Sequence, residues 1–145
     1  MFLKNVSGGT SISMLEKTLA FNEARQRMLA TNIANINTPG YRTKQLDVAS
    51  FQAALREAAD RRDRNRSEPF RLERTREFEL ASDGRLSVRP SEEPVENLLF
   101  KDGTNASIER QMSQVAETAM THQVATELLK RYFDTLEKSI RGRVV

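Results

Sequence analysis

The chain has 145 residues, 23 Lys and Arg against 20 Asp and Glu, and no Cys, so its formal charge is only +3. That length suits one domain or one extended assembly subunit. The missing thiols exclude disulfides, a cysteine nucleophile and Cys-based metal sites, and the near-balance of charge describes a solvated surface rather than a nucleic-acid footprint. Apolar residues make up 38% and Trp is absent. The private core is therefore expected to be modest, with some apolar surface meant for partners. No run of 18 apolar residues is present to span a membrane. Met1 to Val6 lacks the apolar core of a secretory signal, so any route out of the cytoplasm is expected to avoid signal cleavage.

Residues 1–10 read as a flexible polar leader. An amphipathic helix is predicted from residue 11 to about 36, with Ser11 or Ser13 positioned to cap its first turn. Ile12, Leu15, Leu19, Leu29 and Ile33 recur at three- and four-residue steps, and Met14, Phe21, Ala24 and Met28 widen the stripe; a face this broad suits more than one neighbour. Thr38-Pro39-Gly40 stops the helix, because proline lacks the N–H and biases its predecessor away from the helical region. Helix and turn together form an N-terminal unit over 11–41.

The middle, 42–104, is expected to be small and irregular. Leu46 to Ala59 predicts a short helix through Val48, Phe51, Ala54, Leu55 and Ala58. The charged stretch that follows lacks apolar anchors and reads as a mobile Arg-rich loop at about 60–69. Phe78-Glu79-Leu80 and Leu86-Ser87-Val88 alternate around Asp83-Gly84, a weak hairpin signal.

The strongest pattern lies in 105–145. Ile108, Met112, Val115, Ala119, His122, Thr126, Leu129, Phe133, Leu136 and Ile140 follow alternating steps of four and three, and all but His122 and Thr126 are apolar. A seven-residue period sustained this long implies a left-handed coiled-coil seam. Asp102-Gly103 marks a turn before it, Asn105 or Ser107 is placed to cap it, and Lys130, Arg131, Lys138, Arg141 and Arg143 crowd the end where the helix dipole favours cations. The fold class is therefore mainly α. Two long terminal helices form an antiparallel coiled-coil-like pair, with both termini at one end and the middle zone at the other.

One local stretch is distinctive: Ala30-Thr31-Asn32-Ile33-Ala34-Asn35-Ile36-Asn37-Thr38-Pro39-Gly40-Tyr41. Pro39 presets φ, Gly40 accepts positive φ, and Asn35 or Asn37 ends the helix by local hydrogen bonds. On spacing alone this is a stable helix end and turn. It also resembles the motif of flagellar rod and hook proteins, a repeated alanine-asparagine pair followed by Thr-Pro-Gly-Tyr, matched at Ala30, Asn32, Ala34, Asn35, Thr38, Pro39, Gly40 and Tyr41. The length, Tyr41 to Asp47, and the tail from Asp102 through Met112 resemble the proximal-rod branch of that family.

The resemblance implies a non-enzymatic structural subunit without cofactors. It implies export through the flagellar type III apparatus without a cleaved signal, then assembly as a periplasmic rod that encloses the export channel and transmits torque. The partners it implies are further copies, other rod proteins and the membrane-ring adaptor FliE. The residues expected to carry assembly are Leu15, Leu19, Leu29, Ile33, Ile108, Met112, Val115, Leu129, Phe133, Leu136 and Ile140. Another rod or hook subunit is the nearest alternative reading. A basic helical module binding nucleic acid through 56–76 is a more distant one, since acids interleave the Arg run.

His122 is the sole histidine. With no second ligand at metal spacing it reads as a hydrogen-bonded interface residue rather than a ligand or pH switch. Met14, Met28, Met112 and Met120 read as plain core rather than adaptable interface. No catalytic constellation is evident.

Overall fold

A computed structural model describes residues 8–92 and 104–142. Its elements, in chain order, are α1 (Gly8–Ala34), β1 (Lys44–Gln45), α2 (Val48–Arg64), β2 (Phe78–Leu80), β3 (Leu86–Val88), β4 (Ser91–Glu92) and α3 (Thr104–Ile140). At 1.5 Å per residue, α1 and α3 run for about 40 and 55 Å. The two pack side by side more extensively than any other pair of elements. Their direction follows from two contacts: Arg25 meets Glu117 at 3.2 Å and Asn32 meets Gln111 at 3.3 Å. Climbing α1 descends α3, so the pair is antiparallel, as the periodicity implies.

Helix α1 begins at Gly8, ahead of the serines expected to cap it. The Ser13 hydroxyl donates to the Gly9 carbonyl at 2.8 Å instead of accepting from a first-turn N–H, a back-bond characteristic of serine inside a helix. The regular helix stops at Ala34, two residues early, where the Asn35 side chain joins its own N–H on the Thr31 carbonyl and Ile36 N turns back to the Ile33 carbonyl. The leader's first seven residues and the Asp102-Gly103 turn lie outside the described residues. Helix α3 starts at Thr104, so Asn105 and Ser107 fall within it.

The middle zone is more ordered than its sequence suggests. Asp47 caps α2 by accepting from Ser50 N at 2.9 Å. The helix continues past Ala59 through Arg64, so Arg61 to Arg64 belong to a helix rather than a loop. Arginine is a good helix former, and Arg61, Arg62 and Arg64 occupy the last turn, where cations complement the dipole. Asn65 closes the helix and builds a hydrogen-bonded turn to Glu68. The hairpin is present: β2 and β3 pair antiparallel with Phe78 opposite Val88 and Leu80 opposite Leu86. Its turn uses Gly84 at φ 80°, while Asp83 accepts from Arg85 N at 3.0 Å. A second ladder had no clear sequence signal. It joins β1 to β4, with Lys44 opposite Glu92 and Gln45 opposite Ser91.

The apolar core sits where α1, α2 and the hairpin meet. Phe21 stacks on Phe51 with ring centroids 4.0 Å apart, and Phe78 stands edge-on to both at 6.5 and 5.4 Å. Met28, Leu29, Leu46, Leu55, Ala58 and Leu72 complete it. The Glu77 carboxylate ties the layer together, accepting from Asp47 N at 2.7 Å and from the Ser91 hydroxyl. Of the described apolar side chains of α3, only Val115 packs against this cluster. Helix α3 is thus attached to the folded unit chiefly through α1.

Candidate assembly surface and helix-end motif

The Asn-rich end of α1 is a wired junction. Asn35 N reaches Thr31 O at 3.1 Å, Thr38 N reaches Asn35 O at 2.8 Å, and Tyr41 N reaches Thr38 O at 3.1 Å. The Asn35 side chain also donates to Thr31 O at 2.9 Å. Gly40 takes φ 77° with open space around it, so glycine is needed there for backbone freedom and not for room.

Asn32 does the most. It is 2% exposed, and its amide is fully used. Nδ2 donates to Lys44 O at 2.7 Å and to Gln111 Oε1 at 3.3 Å, while Oδ1 accepts from Lys44 N at 3.0 Å and from the Tyr41 hydroxyl at 2.9 Å. By bonding both the N–H and the C=O of Lys44, the side chain stands in for a neighbouring strand. One buried amide thereby joins the end of α1, the turn, β1 and α3. Burial raises the Tyr41 phenol above its ordinary pKa of 10.0, which keeps the hydroxyl protonated as the donor to Asn32. Pro39 and Thr38 are exposed and act through the shape of the turn.

The ten-position seam of α3 divides between two faces. Ile108, Val115, His122 and Leu129 are half-buried, while Met112, Ala119, Thr126, Phe133, Leu136 and Ile140 are exposed. Apart from Gln114, which is also half-buried, the shielded positions of α3 are 108, 111, 115, 118, 122, 125, 129 and 132, again alternating three and four. That is the same heptad, rotated by one position at every second member. The rotation brings polar groups inward: Gln111 and Thr118 are buried, and His122 Nδ1 is buried without a partner. Opposite them on α1, Asn22 and Arg25 are buried too, with Asn22 Nδ2 also unpartnered. The α1–α3 seam thus mixes buried polar groups with apolar residues such as Leu29, Val115 and Ala125. Of the expected α1 positions, Leu29 is fully buried, and Leu15, Leu19 and Ile33 are half-buried.

The outward side of α3 is the reverse. Met112, Met120, Val124, Leu128, Phe133, Leu136 and Ile140 are all the large exposed hydrophobics among the described residues, and Met120 and Ile140 reach 70% and 84% exposure. Met112 and Met120, read as core from sequence, are surface residues; Met28 is buried and Met14 packs on the core. Met120, Val124 and Leu128 belong to a second sequence pattern. Every fourth residue from Met112 (Ala116, Met120, Val124, Leu128, Tyr132, Leu136, Ile140) is apolar. A four-residue row winds around the helix rather than running along it, the ridge used when helices cross steeply. Elsewhere, ion pairs engage part of the Arg run, Arg61 with Glu73 and Arg74 with Glu79, and beyond the run Arg89 pairs with Glu79 and Arg85 with Asp83.

The junction and the row fall where related proteins match. The family described as "Flagella basal body rod protein" matches residues 14–42, which span α1 and the turn. The Flagellar basal body rod protein FlgB of Bacillus subtilis (strain 168) is 24% identical over 91% of this chain and 94% of its own length. That of Salmonella typhimurium is 27% identical over 88% and 90%, and that of Borrelia hermsii 25% over 90% and 96%. Over most of its length the chain is similar to flagellar basal body rod proteins. No solved structure matches it. These likenesses support a structural subunit of the flagellar basal body rod. No helix among the described residues is long and apolar enough to cross a membrane.

Proposed function

We propose that this chain is a non-enzymatic subunit of the proximal rod, and that it assembles by docking the outward apolar face of α3 against helices of neighbouring subunits. The observation carrying this reading is the inversion of α3. Gln111, Thr118 and His122 take inward positions on α3 beside Ile108, Val115, Ala125 and Leu129, while Met120, Val124, Leu128 and Phe133 face outward. A helix that exposes its most apolar face in the isolated chain loses hydration free energy that only a partner recovers. Helices standing side by side around an axis would give a tube able to transmit torque and enclose the export channel, and heterologous contacts that do not close would extend it. The partners in this reading are further copies, other rod proteins and the membrane-ring adaptor FliE. The chain reaches the periplasm through the flagellar type III apparatus without signal cleavage.

The test is complementation of a strain lacking its own copy with the double variant Val124→Asp, Leu128→Asp. Both side chains are about half exposed or more, so the purified variant should keep its helix content and lose no more than about 0.5 kcal/mol of stability. Swimming and rod formation should be abolished. A folded variant that restores normal swimming would overturn the reading.

A further inference from the structure

The geometry points to an oxyanion-binding cleft at the Asn32 junction, between α1, β1 and α3, which accepts a carboxylate, sulfate or phosphate group. The cleft has a volume of about 150 Å³, and its polar lining is Arg25, Lys44, Gln45, Arg110, Gln111 and Gln114. That is room for several waters or one small anion. Three of these side chains are cations, Arg110 already engaged within the chain, and none of the lining groups is a carboxylate.

Arg25 makes the site more than a patch of surface charge. It is only 8% exposed, yet its single protein partner among the described residues is Glu117, at 3.2 Å through Nη2, and that carboxylate is itself 63% exposed. A guanidinium has five N–H donors in a fixed fork. One is used here, and charge-assisted bonds to an anion would engage the rest. The others have no acceptor among the described residues, and Arg25 lines the cleft.

The walls are preorganised by the junction. Asn32 fixes the backbone of Lys44 through both its N–H and C=O and holds the Gln111 side chain, and Lys44 and Gln111 both line the cavity. A planar or tetrahedral oxyanion fits this set, because charge-assisted bonds from Arg and Lys are the strong ones and the glutamine amides supply neutral donors. The inference is independent of the rod reading. Within that reading, it gives a place for an acidic side chain of an adjoining subunit.

The experiment uses the full chain and three probes at matched ionic strength, with sodium chloride as control: sulfate, phosphate, and a capped Ala-Glu-Ala peptide that presents a carboxylate as a neighbouring chain would. Saturable shifts of the Gln111 and Gln114 side-chain amide signals are expected. The melting midpoint should rise by about 3 °C or more over the chloride control at probe concentrations near ten times Kd. The double variant Lys44→Gln, Arg110→Gln keeps Arg25 and Asn32 and should lose both responses. Tighter binding of the free ions identifies a small anion as the ligand, and tighter binding of the peptide identifies a neighbour's carboxylate. Equal stabilisation of native chain and double variant, which general salt effects would give, or no saturable shift with any probe, overturns the assignment.

Discussion

Replacing Asn32 with Leu keeps the side-chain volume and removes four hydrogen bonds at once. The loss strands Lys44 N, Lys44 O, the Tyr41 hydroxyl and Gln111 Oε1. An unsatisfied buried group costs about 1–3 kcal/mol. Lys44 and Tyr41 keep partial access to water and are discounted to the low end, while Gln111 is buried. The sum is about 3–4 kcal/mol, a large share of the stability of a domain this size. Urea denaturation followed by circular dichroism at 222 nm measures it, with Asn35→Leu as the reference. Asn35 lies three residues on in the same motif, but its side chain donates only to the Thr31 carbonyl and accepts from the Thr38 hydroxyl at the exposed helix end, so its replacement should cost less than about 1 kcal/mol. The linear-extrapolation midpoint should fall far more for Asn32→Leu, with an unchanged slope. Equal losses for the two variants would refute the claim that Asn32 is the organising residue of the motif.

Three further outcomes follow from the same coordinates. Phe21→Ala removes one ring of the stacked and edge-on trio and should cost about 3–5 kcal/mol in thermal or urea unfolding, with the loss felt across α1, α2 and the hairpin together. A Cβ at Gly40 meets no atoms within 4 Å, but Gly40→Val must hold φ 77°, so it should cost about 1–2 kcal/mol of backbone strain; a cost near zero in urea unfolding would refute the strain argument. Since the folded Tyr41 pKa is raised, the folded state holds that proton more tightly. Its contribution to stability is full below the unfolded pKa of about 10 and is lost as pH climbs through the folded value. Native chain should therefore weaken more steeply than Tyr41→Phe in unfolding series above pH 10.

The fold was most legible where periodicity and punctuation agree. The Pro39-Gly40 stop, the two long helices and the Asp83-Gly84 hairpin each carry a local signal strong enough to survive tertiary context. The β1–β4 ladder was not legible, because two-residue strands flanked by Arg42 and Pro90 carry no alternation to count. The extension of α2 through Arg64 was obscured by reading charge as disorder. Arg61 instead has a partner twelve residues on, Glu73 at 2.9 Å, a contact no local window contains. The role of Asn32 was legible as a motif but not as chemistry, since its partners Lys44 and Gln111 lie 12 and 79 residues away.

The seam of α3 explains why one heptad was read where two patterns exist. Positions 108, 115, 122 and 129 belong both to the apolar series 108, 112, 115, 119 and to the shielded series 108, 111, 115, 118, and counting apolar residues favours the first. Burial favours the second, because Asn32 and Arg25 hold α3 in a register that turns Gln111 and Thr118 inward. Polar contacts fix that register and leave the apolar series facing out. Paired buried polar groups add little net stability but discriminate sharply among registers, and the unpartnered Asn22 Nδ2 and His122 Nδ1 weaken the same seam further. If polar pairing sets the rotation of α3, converting Gln111 and Thr118 to Leu should let the helix roll and draw Met112 and Ala119 toward α1. Their amide protection against hydrogen exchange, and that of Val115, would then shift relative to native chain, with no loss of helix content. Unchanged protection in that double variant would mean that shape, and not the polar register, determines which face of α3 is left for a partner.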